Sequence, residues 1–376
     1  MKKKVLALLL YFGIVLMASA CKKTETQPMQ VIEIVPVDEN VKEKLTFLDE
    51  KIISQMLQEK IKEIKKEIEE ANISITISAV GDCTLGRDDK FSYQDSLPYV
   101  LEQQNNDYSY FFRGVYDILS NDDLTIANLE SPLTDSETKA SKQFAFKGPA
   151  DYTNILTTGS VEAVNLANNH TMDYLEKGYN DTIETLEQTP IHYFGNGIYS
   201  IAEIKGKKIG MCGIKGWDVD VAMKEIDKAM VYFESMETDL EIFSFHWGEE
   251  SVYKQNSSQE KIARYAIDCG ADLILGHHPH VPQGIEYYND RYIAYSLGNF
   301  VFGGNKNPSD KDTMIFQITF NYEGNELVGT DVKIIPASVS STNEYNDYQP
   351  TIAEGAEKER ILEKILKSST NFDYEE

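Results

Sequence analysis

The chain has 376 residues, a formal net charge of -25 at pH 7 and a pI near 4.7. This length is enough for one large hydrophobic core, or for two domains with a tail. So acidic a surface repels polyanions, which excludes a general nucleic-acid-binding role. Any anionic ligand must therefore be attracted by a local site.

The first 20 residues have the pattern of an export signal. A basic start, Met1-Lys-Lys-Lys, is followed by an apolar run over residues 5–17 and by Ala18-Ser-Ala, directly before Cys21. This order indicates a bacterial lipoprotein signal over residues 1–20, with Cys21 as the lipidated first residue of the mature chain. A plain cleaved signal and an uncleaved anchor are the alternatives, but the apolar run is shorter than a bilayer span requires. We therefore expect a protein held by lipid at the cell membrane, on its extracytoplasmic face.

Two segments separate this signal from the globular part. Residues 21–38 are polar and contain Pro28 and Pro36, which indicates a tether. Residues 39–72 are rich in Glu, Lys, Ile and Leu, and apolar residues recur at spacings of three and four. This spacing predicts an amphipathic charged helix. A stalk, a coiled-coil partner and a helix folded back on the domain all fit the pattern.

The globular domain is predicted over residues 73–338, where strand-like runs alternate with helix-like runs. Strands are predicted at 73–80, 123–128, 161–167, 191–194, 207–213, 240–246, 273–276, 291–297, 313–320 and 326–334, and helices at 111–120, 175–188, 221–235 and 259–269. Early β–α alternation followed by late hairpins predicts an α/β layered sandwich of two mixed β-sheets flanked by helices. Residues 339–376 form an acidic C-terminal tail with a candidate helix over 353–367.

Several predicted strands end in a residue able to bind a metal ion. Ligand sites in open α/β sheets form beyond the carboxyl ends of the strands, and polar groups there need partners. His278 and His280 flank Pro279, whose fixed backbone can direct both imidazoles to one point. A surface loop that is rich in His by chance is the alternative reading. The strand-end residues are Asp82, Glu130, Asn169, His246, His278 and His280.

Two cations lie in predicted loops close to these strand ends. Arg87 can bind a phosphate or carboxylate with two parallel hydrogen bonds, and Lys147 can act as a point charge. Both are candidates to bind an anionic substrate, and ordinary surface charge is the alternative. Asp173 either orients His170 or caps the helix that follows it.

The cysteines after Cys21 have spacings that suggest no disulfide framework. Cys83, Cys212 and Cys269 lie in or beside predicted strands and are interpreted as core residues. A thiolate ligand at Cys83 is the alternative. Strand alternation disfavours it, because neighbouring residues such as Asp82 and Cys83 face opposite sides of a sheet.

Six ordered motifs over about residues 73–335 strongly resemble the bacterial capsule synthesis (CapA, poly-γ-glutamate) family, which is related to the calcineurin-like metallophosphoesterases. The motifs are Ala79-Val-Gly-Asp82, Ala127-Asn-Leu-Glu130, Asn165-Leu-Ala-Asn-Asn169-His170, His246-Trp-Gly, Gly276-His-His278-Pro-His280-Val and Ser296-Leu-Gly-Asn299-Phe. The resemblance implies a metallophosphoesterase-like sandwich, membrane attachment, and a role in making or exporting poly-γ-glutamate.

The resemblance also implies roles for individual residues. It makes His170 the catalytic residue that stabilises the transition state or protonates the leaving group. Asp82, Glu130, Asn169, His246, His278 and His280 would hold one or two divalent ions, and their ligand chemistry suits Mn, Fe or Zn. Two-metal phosphoester hydrolysis is the mechanism implied. The implied partners are poly-γ-glutamate or another anionic substrate, other capsule-synthesis subunits, and membrane lipid through Cys21.

The sequence departs from the phosphoesterase pattern at the first strand. The phosphoesterase pattern has Asp-x-His there, whereas this chain has Asp82-Cys83-Thr84. Glu130 stands where that pattern usually has Asp. Losing one imidazole removes a ligand, which leaves a single metal, or a weakly held second one, as alternatives. Three functions stay open: an enzyme of the capsule pathway, a non-catalytic polyanion-binding or scaffold subunit, and a metal-dependent phosphoesterase of unrelated substrate.

Overall fold

A computed structural model describes residues 50–69 and 72–374. The predicted signal, Cys21 and the tether lie outside the described residues. Helix α1 (Glu50–Glu69) covers most of the segment predicted as an amphipathic helix over 39–72. None of the helices in these two ranges is both long and apolar enough to cross a membrane.

The remaining elements form one compact body. Its helices are α2 (Leu97–Gln103), α3 (Tyr116–Leu119), α4 (Thr153–Thr158), α5 (Leu175–Leu186), α6 (Val219–Met236), α7 (Ser257–Asp268) and α8 (Gly355–Ser368), with 3₁₀ turns at Tyr108–Phe112 and Ala150–Tyr152. Its strands are β1 (Asn72–Thr84), β2 (Arg87–Asp88), β3 (Leu124–Leu129), β4 (Phe146–Lys147), β5 (Ala163–Asn165), β6 (His192–Phe194), β7 (Tyr199–Ile204), β8 (Lys207–Lys215), β9 (Leu240–His246), β10 (Leu273–His277), β11 (Ile285–Tyr288), β12 (Arg291–Ala294), β13 (Asn299–Phe302), β14 (Asp312–Glu323), β15 (Glu326–Ser338) and β16 (Thr351–Ile352).

Two sheets carry most of these strands. The first has the order β16-β15-β14-β1-β3-β5-β6, with β13 pairing β1. Strands β1, β3, β5, β6 and β13 run parallel, and β14 to β16 are antiparallel additions. The second sheet has the order β11-β12-β10-β9-β8-β7, parallel in its centre and antiparallel at both edges. The predicted sandwich of two mixed sheets flanked by helices is confirmed.

Strand alternation distributes the apolar side chains over three clusters. Ile75 and Ile77 of β1 and Leu273 and Leu275 of β10 belong to the cluster between the sheets. The outer face of the first sheet packs on the short helices of residues 97–158, and that of the second packs on α6 and α7. Burying this apolar surface provides the main stabilisation of the sandwich.

The segment after residue 338 packs against the sandwich. Helix α8 buries Ile361 and Ile365 in the cluster between the sheets. Its Arg360 donates to both carboxylate oxygens of Asp312, at 2.5 and 2.7 Å, and Lys364 bonds the same carboxylate. This part of the described chain is therefore built into the domain.

Candidate metal centre

The alternation that forms the core also aims polar side chains at the space between the sheets. In β9, Leu240 and Ile242 face the central cluster, whereas Phe243 and Phe245 face the helices. His246, in phase with Leu240 and Ile242, therefore points between the sheets. Because the central strands are parallel, their carboxyl ends meet at one edge, and the strand-end polar residues gather there.

Five side chains from the predicted ligand set converge at this edge. Their ligand atoms form overlapping groups, each within 4.8 Å: Glu130, His246 and His278 in one, and Asp82, Glu130 and His280 in another. His280 Nδ1 lies 3.1 Å from Asp82 Oδ2, and its Nε2 lies 3.9 Å from Glu130 Oε1. His246 Nε2 lies 3.4 Å from the same oxygen of Glu130. Residues far apart in sequence thus present carboxylate and imidazole donors to one point.

Several buried nitrogen and oxygen atoms at this point have no hydrogen-bond partner among the described residues. They are Oε1 of Glu130, Nδ1 of His278, and both ring nitrogens of His277. Leaving a buried polar atom unpaired costs about 1–3 kcal/mol, so such atoms are uncommon away from functional sites. Imidazole nitrogens and carboxylate oxygens are the ligands that Mn, Fe and Zn accept. Glu130 and His278 each carry an unpaired atom and share a potential ligand group with His246, so they fit a bound divalent cation.

Asn169, the sixth predicted ligand, also reaches the cluster. Its Oδ1 lies 2.9 Å from His246 Nε2. The neighbouring Asn168 is buried and donates its amide to the carbonyl of Leu129 at 2.8 Å, which fixes the turn after β5. The turn therefore directs Asn169 to the cluster while Asn168 is used for structure.

Burial and mutual charge set the protonation of the cluster. Burial raises the pKa of Asp82, but the neighbouring imidazoles of His277 and His280 outweigh it and hold that pKa well below its usual range. Burial and the charge of Asp82 together raise the pKa of Glu130 well above its usual range. For His280 the neighbouring carboxylates outweigh burial and raise its pKa to about 10. Burial lowers the pKa of His278 to about 4, so His278 is a neutral imidazole able to donate a lone pair to a metal.

His170 is held beside the cluster by a small polar network. Asp173 Oδ2 lies 2.7 Å from His170 Nδ1 and accepts the backbone N–H of Phe146 at 2.7 Å. Lys142 donates to the other oxygen of Asp173 at 2.6 Å. Helix α5 begins after Tyr174, without a side-chain cap. Asp173 therefore orients His170, and the helix-cap reading of Asp173 is wrong.

Asn128 is a central residue of the site that sequence reasoning missed as a functional position. Its amide donates to Asp82 Oδ1 at 2.7 Å, and its Oδ1 accepts from Asn165 and Asn168 at 3.2 and 3.3 Å. Strand alternation in the sequence could have identified it, because Asn128 lies in phase with Leu124 and Ile126 on the inner face of β3. Asn128 orients the Asp82 carboxylate toward the cluster.

Three more residues of the site were not among the predicted ones. His277, which ends β10, is buried with its Nδ1 3.5 Å from Asp82 Oδ1. Glu250, which is exposed, forms a further potential ligand group with His278 and His280. The Trp217 and His278 rings pack in a T-shaped arrangement, with 5.0 Å between centroids. Asn299, from the last of the six motifs, also reaches the site, with its Oδ1 2.9 Å from His280 Nδ1.

Cys83 and Trp247 face away from the ligand cluster and belong to the outer apolar clusters. Cys83 is buried in the cluster between the first sheet and its helices, and burial raises the pKa of its thiol to about 12. A thiol that stays protonated and faces away from Asp82 supports the core interpretation. Trp247 stacks on Phe245 in the outer cluster.

The two predicted anion-binding cations lie together, although not among the potential metal ligands. Arg87 and Lys147 are direct partners in the antiparallel β2–β4 ribbon. They line a cavity of about 320 Å³ whose lining contains none of the potential metal ligands.

The molecule is thus an α/β sandwich with a buried cluster of metal-type ligands at its strand ends. The family model of the bacterial capsule synthesis protein PGA_cap matches residues 76–304, and the chain belongs to this family. The matched segment contains both the ligand cluster and His170.

Named relatives agree with this membership. The chain is 27% identical over 329 residues to the capsule biosynthesis protein CapA of Bacillus anthracis, covering 80% of this chain and 74% of the relative. It is 32% identical over 252 residues to the PGA biosynthesis protein CapA of Bacillus subtilis, covering 61% and 63%. A probable polyglutamine synthesis accessory protein of Mycobacterium tuberculosis is 26% identical over 210 residues, covering 48% and 55%.

Proposed function

We propose that this protein is a surface-anchored component of poly-γ-glutamate capsule biosynthesis or export, with a metallophosphoesterase-like site for a divalent metal. Family membership and the names of the relatives support the capsule role. The signal-like residues 1–20 and Cys21 support lipid anchoring outside the cytoplasmic membrane. The observation that carries the metal site is the convergence of buried, unpaired donor atoms from separate strands.

The residues that would hold the metal are Asp82, Glu130, Asn169, His246, His278 and His280. A bound divalent cation would supply Lewis-acid stabilisation of charge on a phosphoryl or carbonyl oxygen. The chain itself supplies His170, whose Nδ1 is engaged by Asp173. This contact leaves Nε2 as the ring nitrogen that can donate a proton to a leaving oxygen. Lys142, bonded to Asp173, adds positive charge beside the same imidazole.

A second candidate function is a non-catalytic subunit that binds polyanion or holds partner subunits. The observation that favours it is Thr84, which stands where the phosphoesterase pattern has a histidine. The Thr84 hydroxyl donates to Glu130 Oε2 at 3.2 Å and so takes up one carboxylate oxygen of the cluster. A site with one ligand fewer would lose its second metal, and with that metal its catalytic activity. It would still be able to bind a polyanion.

Elemental analysis of the full-length chain, purified in mild detergent and supplied with Mn, Fe or Zn, tests the metal site. We expect bound metal in the unaltered protein and a clear loss of metal in His278→Ala. His192→Ala is the matched control, because His192 bonds Ser200 at the far edge of the first sheet. Near-zero content for every ion in both the unaltered protein and His278→Ala would overturn the metal site.

Turnover of a generic phosphodiester separates the candidate functions. A pathway enzyme should hydrolyse it when metal-loaded, and His170→Ala should keep the metal but lose the activity. Metal-loaded protein that hydrolyses nothing, yet is retained on a polyglutamate column, identifies the binding subunit. Hydrolysis without any retention on that column points to a phosphoesterase of unrelated substrate.

The anchoring part of the proposal has its own test. Cells fed a labelled fatty acid should incorporate the label into the unaltered protein and not into Cys21→Ser. Equal labelling of both proteins would refute lipidation at Cys21.

A further inference from the structure

A cavity of about 320 Å³ lies beside the β2–β4 ribbon. Its walls combine two cations, Arg87 and Lys147, with the rings of Tyr93, Tyr152 and Tyr174. The cations are neighbours because they are register partners across the ribbon. Positive charge and aromatic surface are therefore presented together in one concave space.

Neither cation is neutralised by a carboxylate within the part of the chain that the structure describes. Lys147 Nζ donates to the carbonyl of Ser136 at 2.6 Å and lies 4.8 Å from the centroid of the Tyr174 ring. Arg87 Nη1 donates to the carbonyl of Phe91 at 2.9 Å, and its guanidinium lies 5.5 Å from the Tyr93 centroid. Carbonyl oxygens and ring faces fix both side chains and leave their charge available to a ligand.

The acidic residues that border the cavity have cationic partners of their own. Asp89 is paired with Lys139, and Asp135 lies 3.4 Å from Lys177. Arg87 and Lys147 are therefore not the ion-pair partners of these two carboxylates. In a chain with a net charge of -25, two such cations side by side on one concave wall are a local feature that can attract an anion.

The ribbon separates this cavity from the metal centre. Adjacent residues of a strand face opposite sides, so Phe146 points away from Lys147. The Phe146 ring packs on His170, with 4.8 Å between centroids. Gly86, on the cavity wall, follows two residues after Thr84, which bonds Glu130. A ligand in the cavity would thus be separated by the ribbon from His170 and from the potential metal ligands.

We propose that this cavity binds carboxylates of a γ-linked glutamate chain, as a subsite separate from the metal centre. The inference rests on the proposed capsule function and specifies where the polymer is held. Each residue of such a polymer carries one free carboxylate on an aliphatic stem. Arg87 can take a carboxylate with its remaining N–H groups, Lys147 can take a neighbouring one, and the tyrosine rings can pack against the stems.

The test measures binding of a fluorescent γ-linked glutamate octamer to the full-length, metal-supplied protein. We expect Arg87→Gln and Lys147→Gln each to raise Kd at least about tenfold, because each removes a charge-assisted contact. Arg113→Gln is the matched control: Arg113 also lies over a tyrosine, at 5.6 Å from Tyr110, but is paired with Asp107 at 2.7 Å. Its Kd should equal that of the unaltered protein.

Charge-retaining variants and a modified octamer distinguish the loss of a binding contact from a folding defect. Arg87→Lys and Lys147→Arg retain the charge and should recover most of the affinity, which a mere folding defect would not allow. An octamer with its side carboxylates converted to amides should not bind. Unchanged Kd in the Arg87→Gln/Lys147→Gln double variant, or equal binding of the amidated octamer, would overturn the inference.

Metal content measured on the same samples separates this inference from the proposed function. Unaltered protein that holds metal but does not bind the octamer refutes the subsite and leaves the metal centre standing. Protein that binds the octamer through Arg87 and Lys147 but takes up no metal supports the subsite and refutes the metal centre.

Discussion

Metal affinity should rise with pH, because a cation must displace a proton from His280. The carboxylates of Glu130 and Asp82 overcome the effect of burial and raise the pKa of His280 to about 10. Only the neutral imidazole can donate a lone pair to a metal. Below that pKa each ion bound therefore releases one proton, and the apparent affinity should increase about tenfold per pH unit between about pH 6 and pH 9. Glu130, whose pKa is also raised, steepens the slope wherever it is protonated.

Competition with a chelator across this pH range measures the slope, after correction for protonation of the chelator. Calorimetric titration in buffers of different ionisation enthalpy counts the released protons independently. His280→Gln should bind metal more weakly, with a slope lower by about one proton than that of the unaltered protein. An affinity that does not depend on pH in the unaltered protein, or a His280→Gln slope equal to it, would refute the reasoning.

Two further predictions concern single side chains. His277→Leu should lower metal affinity at least about tenfold, because it removes two unpaired nitrogens beside Asp82; unchanged affinity in a chelator competition would refute this. Burial raises the pKa of Asp122 to about 7, so an ionised Asp122 destabilises the fold progressively as pH rises from about 4 to about 7. Asp122→Asn should therefore raise the free energy of unfolding by about 1–2 kcal/mol at pH 8 and leave it unchanged at pH 4, after allowing for partial exposure; urea denaturation that gives the same change at both pH values would contradict it.

The local pattern of the chain predicted much of the fold, because alternation and strand length are local properties. The strand predicted at 240–246 is β9, and the late hairpin at 313–334 is β14 with β15. The predicted strand 291–297 is instead divided between β12 and a turn before β13. Strand β13 then leaves the second sheet and pairs with β1, opposite Asp82. This crossing depends on long-range pairing, which a continuous apolar run does not encode.

The candidate site shows the same division between local and distant information. Histidines around a proline pointed to His278 and His280, but His278 and His280 adopt left-handed backbone angles, with φ of 96° and 58°. Those angles arise from the surrounding packing and cannot be read from the residue types. His277 was missed because the strand was ended at Gly276. Continuing the alternation of Leu273 and Leu275 by one step would have placed His277 on the inner face.

The balance of charge in the cluster argues for a cation more strongly than the residue types do. Asp82 and Glu130 are both almost fully buried, at 0% and 1% exposure, and two buried carboxylates in one cluster repel each other. Without a metal, the pKa values of Glu130 and His280 are raised, so protons supply the positive charge that the site needs. Protons on these two groups leave Nδ1 of His278 still unpaired among the described residues. A divalent cation would balance both carboxylates and give the His278 nitrogen a partner, which would account for the burial of these groups together in so acidic a chain.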